Sequence, residues 1–343
     1  MRDLLRLFVA TTVLSAVPAL FAQQPTVVHG QATTEAADHG LSAAIDGLKR
    51  QKDAAWIGYS IPVVSKFSSG WNSGRIDYLE GNGDSAVNDS DENNESSDRA
   101  VVLLRVADGA VMKVRVESPE RELDAGGLRF VWLTGVNAED SVRVLTDLAR
   151  QGDARRLRDS IVFAISIHRT SAATAALISL AGAGNDLGLR EKAAFWLASQ
   201  RGADGLAAIQ KFAHEDSDPK FREKLAFDLT LSKDPAALNE LIRMAHEDGS
   251  PQVRKQAQFW MATKGGKRVT ADLRTLATDD PNEQIRKSAV FALSRLPGDE
   301  AATQLIAVAD SSKDPIVRRQ AIFWLGQSND PRALEYLTKL LKQ

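Results

Sequence analysis

Two His-Glu pairs, His214-Glu215 and His246-Glu247, stand 32 residues apart in the segments FAHEDSDP and MAHEDGSP. Imidazole beside carboxylate can ligate a transition metal, so metal chemistry is the first possibility they raise. Asp89, Asp91 and Asn93 raise a second, because they have the 1-3-5 spacing of a calcium loop. Neither set is completed. Asn94 stands where a calcium loop needs the glycine of its sharp turn, and Ala100 where it needs a bidentate glutamate. The histidines fall at the ends of helical segments, where a histidine gains from the helix dipole. There is no Ser-His-Asp set, glycine-rich phosphate loop or His-x-x-x-His pair. Cysteine is absent, which excludes disulfides, thiolate metal sites and a thiol nucleophile. The expectation is a non-enzymatic protein with no catalytic residue, metal or cofactor.

The spacing of 32 belongs to more than the histidines. Stepping by 32 from Arg190 gives Arg158, Arg190, Arg222, Arg254, Arg286 and Arg318. One residue earlier lie Leu157, Leu189, Phe221, Val253, Ile285 and Val317; three later, Ile161, Ala193, Leu225, Ala257, Ala289 and Ala321. Seven later lie Ile165, Leu197, Leu229, Met261, Leu293 and Leu325. These columns share one helical face and predict an amphipathic first helix. Leu177, Ile209, Leu241, Leu273, Leu305 and Leu337 mark a second helix in each period. Turns such as DSDPKFR and KDPIVR separate the repeats, with Asp or Ser to cap the next helix and Pro in its first turn. Two helices per period stacked without interruption predict an α-solenoid of six repeats, roughly 50–60 Å long.

Two further columns could carry function. Phe163, Phe195, Phe227, Phe259, Phe291 and Phe323 lie about 120° from the apolar stripe. They are either packed between repeats or exposed as a ridge that grips a ligand, since uncovered apolar surface marks binding sites. Phe195, Phe227, Phe259, Phe291 and Phe323 are therefore candidate partner-binding residues. The next column alternates in size: Ala164, Trp196, Asp228, Trp260, Ala292, Trp324. Large beside small suggests interdigitating neighbours. Asp228 breaks that apolar column, either as a partly exposed or Arg-paired acid or as a functional carboxylate.

The DPxVRxxAxxxL pattern resembles the short bacterial HEAT-like repeats also found in phycobilisome lyases. The resemblance covers residues 137–343 and implies an α-solenoid; for function it implies little, because solenoids serve many partners. It also implies a structural ladder in which Arg158, Arg190, Arg222, Arg254, Arg286 and Arg318 bond the Asp-containing turns, a task suited to the guanidinium fork. The alternative is an anion-binding stripe. The His-Glu pairs are similar to those of deoxyhypusine hydroxylase, whose di-iron site uses such pairs. In that family the pair follows the Arg column; here Glu191-Lys192 and Glu223-Lys224 hold that place, which argues against iron.

The N-terminal part follows other rules. Arg2 and Arg6 precede the apolar run LFVATTVLSAVPALFA, which reads as a signal peptide cleaved near Ala22 or at Ala19. The run is short for a membrane span. Residues 23–55 read as a loose segment followed by a short helix with Leu41, Ile45 and Leu48 on one face. Residues 56–136 hold strand-like runs, including AVVLLRV and VMKVRVES joined at Asp108-Gly109, and predict a small antiparallel β domain. Within it, residues 81–98 carry six acids and no bases, the composition of a disordered loop. The period places one more second helix, capped by Asn137, in NAEDSVRVLTDLAR, so the β domain replaces the first helix of a half repeat.

The net charge of −2 gives no overall pull toward nucleic acid or anionic lipid. The sequence reading is therefore a periplasmic or secreted interaction scaffold that holds a protein or peptide partner in the solenoid groove. It excludes nucleic acid and stable membrane insertion, and leaves the oligomeric state open. Its rivals are a lyase or metal-dependent hydroxylase of HEAT-like type, a glycosylase-like nucleic-acid binder, and an envelope spacer.

Overall fold

The computed structural model describes residues 24–51, 53–69, 76–81, 96–152 and 154–342. The leader and the calcium-spaced Asp89, Asp91 and Asn93 lie outside those residues. Ala100 does not: it pairs with Ile61 inside a strand.

The N-terminal domain contains strands β1 (Val27–Val28), β2 (Gln31–Ala36), β3 (Ala55–Phe67), β4 (Ile76–Tyr78), β5 (Ser97–Ala107), β6 (Ala110–Glu117), β7 (Glu122–Asp124) and β8 (Arg129–Thr134). The main sheet has the order β2-β8-β3-β5-β6. Its β3-β5-β6 part is antiparallel, as the sequence predicts, and its hairpin turns at Asp108 and Gly109, both at positive φ. The sheet as a whole is mixed, which corrects the antiparallel reading: β8 runs parallel to both β2 and β3. A second sheet, β1-β7-β4, is parallel throughout. The segment read as loose contains β1 and β2, and helix α1 (Gly40–Lys49). Strand β2 escaped notice because QATTEA is polar and fully exposed, an edge strand held by backbone pairing and the Arg129–Glu35 ion pair.

Both faces of the sheet's central strands β8, β3 and β5 are buried over much of their length. Ile57, Val102, Leu104, Val114 and Val131 face the helices and join the solenoid core. Trp56, Val101, Leu103, Phe130 and Trp132 form a second cluster with Leu79, Leu123 and Ala125 from the small sheet and its flanks. Burial on two faces explains why AVVLLRV is a continuous apolar run rather than an alternating one.

The helices follow as α2 (Ala138–Gln151), α3 (Arg155–Ile167), α4 (Ser171–Ala181), α5 (Leu187–Gln200), α6 (Gly202–Glu215), α7 (Pro219–Leu231), α8 (Ala236–Glu247), α9 (Pro251–Gly265), a 3-10 turn at Gly266–Val269, α10 (Thr270–Asp279), α11 (Glu283–Ser294), α12 (Glu300–Ser311), α13 (Pro315–Gly326) and α14 (Pro331–Leu340). The odd helices from α3 to α13 pack side by side as one row, and the even helices back them. Asp186, Asp218, Asn282, Asp314 and Asp330 cap helices through their side chains, and Pro219, Pro251, Pro315 and Pro331 open first turns. Ser250 occupies a cap position without bonding; the Asp248 carboxylate accepts the Ser250 amide instead. The chain crosses from α5 to α6 so tightly that a Cβ on Gly205 would collide with the Leu197 carbonyl oxygen. Asn137 caps α2 through the Glu139 and Asp140 amides, and α3 packs on β6. The β domain thus covers the end of the stack where the period leaves a first helix missing.

Candidate functional site

The Arg column is a ladder. Each rung reaches the acid 26 or 28 residues ahead, in the turn leading to the next repeat: Arg158 to Asp186, Arg190 to Asp216, Arg222 to Asp248, Arg254 to Asp280, Arg286 to Asp314. Arg222 is bidentate, at 2.8 and 2.9 Å. Burial raises the Asp248 carboxyl, but the bonds from Arg222 and the Ser250 amide outweigh it and hold the acid below its ordinary range. Arg190 and Arg254 also donate to carbonyls that end α4 and α8. Arg190 further lies over the Phe221 ring at 4.0 Å. Arg318 is exposed and makes no such bond among the described residues. Through these bonds the five paired guanidiniums tie each repeat to the turn before the next.

The Phe column is neither of the two extremes its sequence allowed. Phe163, Phe195, Phe227, Phe259 and Phe291 are half-buried, and Phe323 is 54% exposed. Each tryptophan of the next column sits between the Phe of the preceding repeat and the Phe of its own. Trp196 meets Phe163 and Phe195 at 4.9 Å each, Trp260 meets Phe227 at 5.0 Å and Phe259 at 4.7 Å, and Trp324 meets Phe291 at 5.0 Å and Phe323 at 5.1 Å. The tilted and edge-on angles are those that aromatic quadrupoles favour. Where the column holds Ala292, Phe259 and Phe291 stack directly at 6.1 Å. Phe67 of β3 continues the line, 6.4 Å from Phe163. The alternation of large and small is therefore the interdigitation its pattern predicts, and its outer edge is an aromatic ridge along the first-helix row.

Asp228 interrupts that ridge, and no ring contact joins Phe195 to Phe227 among the described residues. The acid is not exposed or Arg-paired, which corrects both bland expectations. It is 3% exposed, and its Oδ2 has no hydrogen-bond partner. Burial pushes its carboxyl up to about 8, a rise that Lys224 opposes and Glu191 reinforces. Gln258 on α9 is fully buried with neither side-chain polar atom bonded. It breaks the column Val162, Ala194, Ala226, Val290, Ile322, a sequence signal that went unread.

The histidine pairs are dispersed. His214 Nε2 lies 3.2 Å from Glu240, and His246 lies 3.6 Å from Asp272, each across to the next second helix. No group of three or more His, Asp or Glu among the described residues could hold a metal ion.

Sequence reasoning missed a buried chain at the domain junction. Tyr59 of β3 meets Ser141 of α2 at 2.8 Å, Ser141 meets His168 Nε2 at 2.9 Å, and His168 Nδ1 meets the Ala164 carbonyl at 2.7 Å. Burial lowers His168 to about 4, so the imidazole is neutral at neutral pH. A carbonyl only accepts, so Nδ1 carries the proton and Nε2 accepts from Ser141. Ser141 in turn accepts from Tyr59, and every group is satisfied. Arg201 closes the same corner by donating to the carbonyls of Ser166, His168 and Thr170.

Profiles for HEAT repeats match residues 206–294 and 239–324, and one for the PBS lyase HEAT-like repeat matches residues 317–343. The stack is built of HEAT-type repeats. No curated protein sequence matches the chain. Among solved structures, human deoxyhypusine hydroxylase in complex with glycerol is 18% identical, over 59% of this chain and 90% of that one, with a TM-score of 0.32. The CpcE–CpcF complex of phycocyanin lyase from Nostoc sp. PCC7120 is 23% identical, over 46% of this chain and 100% of that one, with a TM-score of 0.34. Kap121p is 12% identical, over 59% of this chain and 27% of that one, with a TM-score of 0.39. Such distant similarity says nothing of activity. No helix among the described residues of this HEAT-type solenoid is long and apolar enough to cross a membrane.

Proposed function

We propose that this protein is an exported, non-enzymatic scaffold that holds a protein partner along the first-helix row of its solenoid. The aromatic ridge carries the reading. Six Phe side chains in register are left partly uncovered, and they fall into two runs, Phe163 to Phe195 and Phe227 to Phe323, on either side of Asp228. A half-covered ring still has apolar area to bury, and a row of them gives a partner a long contact at small cost in ordering. Export rests on the sequence: Arg2 and Arg6, the apolar run after them, and the small residues up to Ala22.

The test is crosslinking and affinity capture from the cell envelope with the wild type and with Phe227→Ala plus Phe259→Ala. The reading expects specific partners to be lost while circular dichroism and melting show a folded solenoid. A folded double variant that keeps every partner overturns it. Export is checked by sequencing the N-terminus of the expressed chain; an intact leader on a cytosolic product would refute it.

A further inference from the structure

The main sheet has two edges, and they are finished differently. Edge strand β6 packs against α3 and carries Lys113 and Arg115. Edge strand β2 is exposed at all six residues, Gln31–Ala36. An open edge offers a row of unpaired amides and carbonyls to any strand that arrives, and chains blunt such edges with lysine, proline or a bulge. QATTEA has none of these. It runs along β8 in one unbroken register, from Gln31 opposite Arg129 to Ala36 opposite Thr134. Its one charge, Glu35, is held by Arg129 at 3.0 Å.

The direction of each backbone group on β2 is fixed by its bonds to β8. The Gln31 amide donates to the Leu128 carbonyl, and the Ala37 amide to the Thr134 carbonyl. In such a ladder alternate residues turn toward one neighbour, so Gln31, Thr33 and Glu35 face β8. The amides and carbonyls of Ala32, Thr34 and Ala36 therefore point outward. Three outward residues spaced by two and centred on Thr34 are their own complement. When a second β2 is laid antiparallel about a two-fold axis at Thr34, Thr34 meets Thr34, and Ala32 meets Ala36 on each side. Each of these pairs exchanges two hydrogen bonds, so every outward amide and carbonyl of both strands is used. The side chains agree with that register. Ala32 opposite Ala36 puts no bulk in the way, and Glu35 falls opposite Thr33 rather than opposite its own copy.

We infer that β2 pairs with the β2 of a second copy of this chain, joining the two main sheets into one across a two-fold axis at Thr34. A contact made of one strand pair buries little side-chain area, which puts it among the weak, reversible interfaces. The dimer therefore assembles as concentration rises, at about 0.1–1 mM protein. It does not depend on what the solenoid holds, because no residue of the ridge takes part.

The test is sedimentation equilibrium of the purified protein from about 10 μM to about 1 mM. Wild type should pass from monomer to dimer across that range. Thr34→Pro deletes only an outward amide, a change an edge strand tolerates. It should weaken the dimer at least about tenfold while circular dichroism and melting match wild type. If that variant melts early, Ala32→Lys plus Ala36→Lys decides in its place. That pair sets lysine opposite lysine on each side of the axis, leaves the backbone alone and must give the same loss. Ala32→Lys plus Ala36→Glu sets opposite charges across the same pairs and should tighten the dimer several-fold. Crosslinking reads the register. The chain has no cysteine, so Thr34→Cys should give a disulfide-linked dimer on mild oxidation. Its paired Cα atoms would stand about 5.5 Å apart, within disulfide reach. Thr33→Cys, offset by two residues from its own copy, should not crosslink. A protein that stays monomeric throughout the range overturns the inference. So does a dimer that survives both Thr34→Pro and the double lysine variant, or equal crosslinking at the two positions.

Discussion

Two regions of this molecule bury polar side chains to the same depth and treat them differently. At the junction of sheet and solenoid, Tyr59, Ser141 and His168 form a directed chain in which each donor meets an acceptor. Along the first-helix row, Asp228 and Gln258 are as deeply buried, and Asp228 Oδ2 and both polar atoms of the Gln258 side chain lack partners. The junction's bonds offset the desolvation of its groups; the ridge leaves that cost standing. Closed networks mark where the chain completes itself. Open ones mark where stability is given up, and they occur on both rows of helices, at Asp228 and Gln258 on the first and at His246 and Gln304 on the second.

Stability measurements can break this contrast. The largest effect belongs to Asp228. Its folded pKa of about 8 exceeds the unfolded value of 3.8, so its contribution is complete below pH 4 and is lost as pH rises through 8. Urea melts should show Asp228→Ala more stable than wild type at pH 8, by on the order of 4 kcal/mol. A destabilised variant would show that the acid has a partner after all. Ser141→Ala should cost about 3 kcal/mol, since it strands both Tyr59 and His168. A neutral result would remove the junction's special status.

His168 gives an effect of similar size and opposite sign in pH. Its folded pKa of about 4 is below the ordinary 6.5, so stability is complete above pH 6.5 and falls by roughly 3 kcal/mol as pH drops through 4. Between pH 4 and 6.5 the slopes of His168 and Asp228 oppose each other. Asp228→Ala should unmask the histidine as stability that rises with pH across that window. Gln258→Val, which restores the apolar column, should gain about 1–2 kcal/mol by thermal melt. Arg318→Ala should change stability by less than about 0.5 kcal/mol, because its charge is exposed and has no partner among the described residues.

The repeat was legible because each column answers to a local rule, applied six times. The Arg ladder was implied by the resemblance to HEAT-like repeats with Asp-bearing turns, and the half repeat followed from counting back to Asn137. The ridge was legible as a column but not as a burial state, since half-coverage depends on how far each tryptophan reaches under its neighbour. The junction was hidden because Tyr59 and Ser141 are 82 residues apart, and because Ser141 stands in a column of small residues, with Ala173, Gly205, Ala237, Val269, Ala301 and Ala333, that reads as close packing alone. Asp228 stood out by type, yet its isolation did not, because the nearest ladder arginines are already committed to turns.

A solenoid whose repeats touch only their neighbours behaves as a spring, and bending it spreads a small rotation over every contact. Here each tryptophan is clasped by rings from two successive repeats. Curvature must therefore alter the overlap of Phe163 with Trp196, Phe227 with Trp260 and Phe291 with Trp324 together. The three indoles act as strain gauges set at alternate repeats, and their emission records how far the spring is bent.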